Sequence, residues 1–258
     1  MTGHAETSHF VFYHDAIRLH GVTAGVSDDQ RFHFVDLNTL PIPDYLIVSG
    51  LDERLNRALF SEYLGMLSVQ PHTKVVGMFT YSVPLKFCRA WAERTRIPEI
   101  FLPEITFAKI AAAEFDPSQI YAPEFGHPQT RFAPQIATVH SKFQVGSDRI
   151  SALGPYKGSF VVSSETYADF SNWFPKVCRY LMEHVDWRIG AGGNSPFTAS
   201  KYAGKSEDER KVDQMRHGIG GLMERIVAYY FGQRFADRDK HRLGPYLESR
   251  LQAIAPTP

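Results

Sequence analysis

Short apolar runs separated by polar turns set the first half of the chain. His9–Tyr13 is apolar and aromatic and stops at His14-Asp15, the pattern of a buried strand that delivers polar groups at its carboxyl end. Arg31–Leu37, where Phe32, Phe34 and Val35 surround His33, predicts a second strand, and Tyr45–Ser49, ending at Gly50, a third. Asp52–Val69 carries Leu55, Leu59, Tyr63, Met66 and Leu67 at helical spacing. Lys74–Tyr81 then predicts a fourth strand. Such alternation of strand and helix predicts an α/β layered domain with a largely parallel sheet. In such sheets ligands bind outside the carboxyl ends of the strands. Those ends carry Tyr13, His14 and Asp15, then Gly50, Asp52 and Glu53, then Tyr81 and Ser82.

The second half is less regular. Cys88–Arg96 predicts a short helix stopped by Pro98, and Glu99–Gly154, with five prolines, predicts long loops with a helix or two. Phe160, Val161 and Val162 predict a strand, followed by a long helix over Ser164–Val185 that contains Pro175. Trp187–Ser206 is rich in Gly, Ser and Ala and predicts a loop. A helix over Arg216–Arg234 follows, then a charged stretch and a short helix near Tyr246–Ile254.

Composition narrows the partners. A chain of 258 residues with 43% apolar and 13% aromatic content supports a substantial core. Lys+Arg and Asp+Glu both number 28, so there is no basic excess of the kind that serves a nucleic-acid backbone. Cys88 and Cys178 have no metal-ligand spacing and read as thiols in a reducing compartment. The N-terminus shows no basic-then-apolar leader, and no window is apolar for long enough to span a bilayer, so a cytoplasmic protein is expected.

Several motifs promise chemistry and lose it on context. Ala199–Ser206 fits a relaxed phosphate-loop pattern at Gly204-Lys205-Ser206, but no strand precedes it. Gly190–Gly193 lacks the dinucleotide spacing. Histidines are scattered without a zinc pair, and no Gly-x-Ser-x-Gly elbow appears. His14, at a strand end beside Tyr13, is the best placed of them. Among acidic pairs, Glu114-x-Asp116 closes a run of small apolar residues and is the best candidate to hold Mg2+ or Mn2+ against a diphosphate. Glu224-Arg225 lies within an otherwise apolar helix. It reads either as a structural ion pair or as a carboxylate base oriented by its arginine, with Arg216 and His217 two turns earlier.

Several of these segments together resemble a glycosyltransferase family of capsule and O-antigen biosynthesis clusters, first catalogued as a domain of unknown function. The resemblance rests on Phe12-Tyr13-His14, on Gly50-Leu51-Asp52, and on Asn56 followed by Glu62. It continues through Val76–Tyr81, Phe160–Phe174 and Arg216–Arg225, with Ile226 in a Leu position, and leaves about Ala90–Ile150 unmatched. The family's His-Tyr-Arg-Arg segment is Thr80-Tyr81-Ser82-Val83 here, and Lys86 restores one positive charge.

The resemblance implies a single GT-A-like (Rossmann-like) domain over residues 1–235, its mostly parallel central sheet flanked by helices. A charged helical tail, 236–258, packs on it. It implies transfer of a sugar, of galactose type, from a nucleotide-sugar donor to a glycan or lipid-linked acceptor. Tyr13, His14, Asp52, Asn56, Tyr81, Lys86, Arg216 and His217 then bind donor, Glu224 and Arg225 act in catalysis, and Glu114 and Asp116 hold metal. Peripheral membrane contact is open to the basic-aromatic segment Arg234–Arg250. The alternatives are a catalytically idle binding subunit of the same fold, and a nucleotide or phosphate-ester hydrolase.

Overall fold

The centre of the fold is a pair of strands buried on both faces. In a computed structural model, the described residues are 7–23, 26–81, 115, 117–118, 120, 132–146, 155, 158–185 and 206–235. The first strand, β1 (Thr7–Tyr13), leads into α1 (Ala16–Val22) and then β2 (Phe32–Asp36). A 3-10 turn at Asp44–Leu46 precedes α2 (Glu53–Phe60), α3 (Glu62–Ser68) and β3 (Val75–Thr80). After these come α4 (Ala133–Phe143), β4 (Phe160–Ser163), α5 (Ser164–His184) and α6 (Glu207–Arg234).

The strands form one open sheet in the order β2-β1-β3-β4. Both neighbours of β1 run parallel to it, in registers that include Val11↔Phe34 and Val11↔Phe79. β4 runs antiparallel to β3, pairing Val75↔Ser163 through Met78↔Phe160. The expected α/β class and mostly parallel sheet are therefore what the chain forms.

Every residue of β3 is buried, as a parallel strand covered on both sides must be. On one face Phe12, Val76, Met78, Phe160 and Val162 join the main core with α3, α5 and α6. Contact with α3 is close: a Cβ on Gly65 would lie 2.3 Å from the Phe12 ring, so only glycine lets the helix approach β1 this far. From Arg225 to Gln233 α6 is buried at every position, a helix enclosed by the core rather than laid upon it. Its Phe231 ring centroid lies 4.4 Å from that of Phe160 and 5.2 Å from that of Phe170, and Tyr230 lies 4.9 Å from Trp173. Tyr167 on α5 donates its hydroxyl to Met66 O at 2.9 Å, fastening α5 to the end of α3.

Three sequence expectations change. Tyr45–Ser49 is not a strand: Val48 gives its N–H to Asn56 Oδ1 at 2.7 Å and accepts from Asn56 Nδ2 at 3.3 Å, so a side-chain amide takes both groups that a sheet neighbour needs. The helix expected over Asp52–Val69 is two helices, broken at Ser61, where φ is +45° and ψ −124°. α6 begins at Glu207, well before Arg216, because its first turns are charged and carry no apolar period. The expectations for Cys88–Arg96, for most of Glu99–Gly154 and Trp187–Ser206, and for the tail 236–258 concern residues outside the described ones. Within the second stretch, α4 is a helix of the kind expected.

The opposite face of the sheet holds an uncompensated histidine. His9 is 1% exposed, and its Nδ1 has no hydrogen-bond partner. Its ring packs against Phe32, Phe79 and Phe115, with centroids 4.9, 5.7 and 5.7 Å away. Gly77 makes the space, since a Cβ there would lie 2.3 Å from Nδ1. Burial, helped by the positive charge of Arg31, lowers the His9 pKa to about 3. The unfolded chain therefore takes up this proton at a higher pH than the folded one. The stability of the neutral buried ring is whole above the ordinary histidine pKa and falls as pH drops from about 6.5 towards 3. We expect a slope approaching about 1.4 kcal/mol per pH unit in that window. Urea unfolding between pH 7.5 and 4.5 should show it, and His9→Leu should flatten it; an equal slope in both proteins would refute the assignment.

Candidate functional site

Three parallel strands bring their carboxyl ends to one edge, where β2 and β3, consecutive among the described strands, lie on opposite sides of β1. Such a reversal of strand order opens a crevice at the ends of the strands. The ladder continues past the strands: Tyr81 N–H donates to Phe12 O at 3.0 Å, and Leu37 N–H to Tyr13 O at 2.8 Å. The rings of His14 and Tyr81 meet edge to face with centroids 5.5 Å apart. Tyr13, His14 and Tyr81, all expected from sequence, are thus together. His14 is exposed, Tyr13 half-buried and Tyr81 buried.

Beside His14 lies an open cleft of about 250 Å3 between the end of β2 and α2. Leu37 and Asn38 form one wall and Arg54, Arg57, Ala58 and Ser61 the other, with His14 at the end of β1. The first wall is a turn organised by Asp36, whose Oδ1 accepts from the Asn38 backbone N–H and from Asn38 Nδ2, both at 2.9 Å. Asn38 Nδ2 also reaches His14 O at 3.3 Å, tying the ends of β2 and β1 together.

The second wall is α2, and its polar residues divide the work. Asp52 caps the helix by accepting from Leu55 N–H at 2.7 Å. Asn56 is 2% exposed and spends its amide on Val48, Leu51 and Asp52 backbone groups, so it shapes the loop and presents nothing to the cleft. Arg57 donates to Leu37 O, Leu40 O and Glu53 Oε1, a strut between the two walls. Arg54 is exposed on the cleft and has no hydrogen-bond or ion-pair partner among the described residues. Ser61 closes the wall in a backbone conformation that L residues rarely adopt.

Glu224 and Arg225 do not line this cleft. Their side chains are 16% and 9% exposed and lie 3.4 Å apart. They face Tyr63 at the start of α3, whose hydroxyl pKa is raised, chiefly by burial and then by the carboxylates of Glu62 and Glu224. Arg216 and His217 fall on α6 two turns before Glu224. Lys86, Glu114 and Asp116 lie outside the described residues. Among the described residues no group of three or more His, Cys, Asp and Glu side chains is placed to hold a metal ion. None of their helices is long and apolar enough to cross a membrane.

Sequence reasoning missed Asn38, Arg54, Arg57 and Ser61. One signal was available: Arg54 is a cation in the first turn of a helix, where the macrodipole disfavours it. No family model, curated protein or solved structure matches this chain. The class that fold and cleft define is an open, mostly parallel α/β protein with a basic cleft at the carboxyl edge of its sheet.

Two variants test this construction. Asn56→Ala leaves the Val48 N–H and C=O buried without partners and should cost about 2 kcal/mol or more in urea unfolding. A loss of only a few tenths would show that the loop does not depend on the amide. Ser61→Gly should raise stability by about 1 kcal/mol by relieving the positive φ; no gain would mean that Ser61 is unstrained.

Proposed function

We propose that the chain is a glycosyltransferase of GT-A-like organisation that seats a nucleotide-sugar donor at the carboxyl edge of its sheet. Transfer is to a glycan or lipid-linked acceptor. The observation that carries this reading is the cleft itself: a concave, basic, hydrogen-bonding surface at the strand ends, with exposed His14 and unpartnered Arg54 on it. Ligands of open α/β sheets bind at this edge, and a cationic wall suits a diphosphate. Tyr13, half-buried at the end of β1, offers aromatic surface to a base or a sugar ring. In transfer, an acceptor oxygen bonds to the anomeric carbon while the bond from that carbon to the diphosphate oxygen breaks, its electron pair leaving with the diphosphate. The acceptor hydroxyl loses a proton to a base, for which Glu224 is the candidate on α6.

A catalytically idle binding module is favoured by a different observation. Among the described residues no carboxylate lines the cleft, and Glu224 is largely buried against Arg225. The two readings share the fold and differ in donor binding and turnover, the idle module binding a partner or glycan instead.

Thermal denaturation with UDP-, GDP-, CMP- and dTDP-sugars, each with and without manganese, tests both. Preferential binding to the native state should raise the melting temperature by several degrees with one nucleotide. Release of the free nucleotide (UDP, GDP or dTDP, or CMP from a CMP-sugar) that depends on a glycan acceptor then selects transferase over binding module. Stabilisation by none of the four donors, at millimolar concentration, would sink the transferase reading and leave the binding module.

A further inference from the structure

Among the described residues nothing compensates Arg54. It is the second residue of α2 after the Asp52 cap, so the positive end of the helix lies beside its guanidinium. Both acids near it in sequence are engaged: Asp52 Oδ1 accepts from Leu55 N–H, and Glu53 Oε1 accepts from Arg57. Arg57, the other cation on the cleft, is occupied with Leu37 O and Leu40 O and is only 13% exposed at its side chain. Leu37 and Ala58 give the cleft apolar wall on both sides, which strengthens an ion pair formed between them.

From this arrangement we infer that the cleft reads a phosphate group, that Arg54 is the side chain that meets it, and that Arg57 positions the wall without touching the ligand. The inference takes the rest of the ligand, nucleoside and sugar, from the transferase reading, but takes the phosphate from the cleft alone. Arg54 offers a planar fork of donors, the geometry that pairs with two phosphate oxygens at once. Asn38 and exposed His14 lie on the same cleft and can add hydrogen bonds from the strand ends.

The test is calorimetric titration of the full chain with inorganic pyrophosphate, UDP, GDP, uridine and guanosine. Pyrophosphate and one nucleoside diphosphate should bind, and the matching nucleoside should bind about tenfold more weakly or worse. Arg54→Ala should weaken both phosphate ligands about ten- to a hundredfold. Arg54→Lys should recover part of that loss by restoring charge without the fork. Because Arg54 is exposed and unpartnered, neither substitution should move the melting temperature of the unliganded protein.

Wild-type affinity in Arg54→Ala, equal affinity for nucleoside and its diphosphate, or no binding of any phosphate would each overturn the inference. Failure of the two proposals looks different. Arg54-dependent pyrophosphate binding with no response to any nucleotide sugar keeps the phosphate site and removes the transferase reading. Nucleotide-sugar binding indifferent to Arg54→Ala does the reverse.

Discussion

Burial of β1 and β3 on both faces is the constraint from which the rest follows. Two parallel strands with buried residues pointing to both faces need a layer on each side. On one side the layer is close-packed enough that Gly65 touches the Phe12 ring. α5 and α6 complete it with a continuous aromatic cluster running from Phe160 through Phe170 to Phe231. On the other side the same demand traps His9 between Phe32 and Phe79, where its neutral form is the tolerable one. Space for that ring comes from Gly77, so a strand glycine and a buried histidine are two halves of one packing solution.

With the sheet fixed, the cleft is a consequence of how the chain returns from β2 to β3. The return passes through α2 and α3, and one straight helix could not bury both Leu59-Phe60 and Tyr63–Met66 in the positions they take. A reversal at Ser61 lets each short helix turn its own apolar side inward. The polar side of α2 is left facing the turn after β2, and Arg57 bridges the gap. The crevice is therefore framed by backbone carbonyls of Leu37 and Leu40, held by one guanidinium.

Much of this frame is legible in the residues. His9–Tyr13 and Lys74–Tyr81 declare themselves as strands because nearly every position is apolar, and the long helix expected over Ser164–Val185 forms, capped in the structure by Ser163. Tyr13, His14 and Tyr81 could be placed at one edge because parallel strands must end together. The rest depended on contacts that no period encodes. Tyr45–Ser49 has strand composition, but its backbone groups are taken by an amide eight residues on from Val48. The break at Ser61 carries neither glycine nor proline, the residues that announce such turns. Asn56, drawn to the ligand by resemblance, turns out to be a fully bonded loop anchor, a distinction that rests on burial. Arg54 and Arg57 are three residues apart on one helix, and only their partners tell a strut from a free cation.

That last contrast says how the site separates stability from recognition. Asn56 and Arg57 each hold several backbone groups that would otherwise be left unpaired, so changes there disturb the loop and the wall together. Arg54 holds no partner among the described residues. It costs a little as a cation at a helix start, and its removal leaves every described internal contact intact. A position with that profile can change without refolding its surroundings. The charge and reach of the group it presents can therefore follow the ligand, while Asn56, Arg57 and Ser61 keep the cleft open beneath it. One exposed cation thus stands beside supporting residues on a single short helix and the break that ends it. The chemistry of whatever binds is written mainly in that cation.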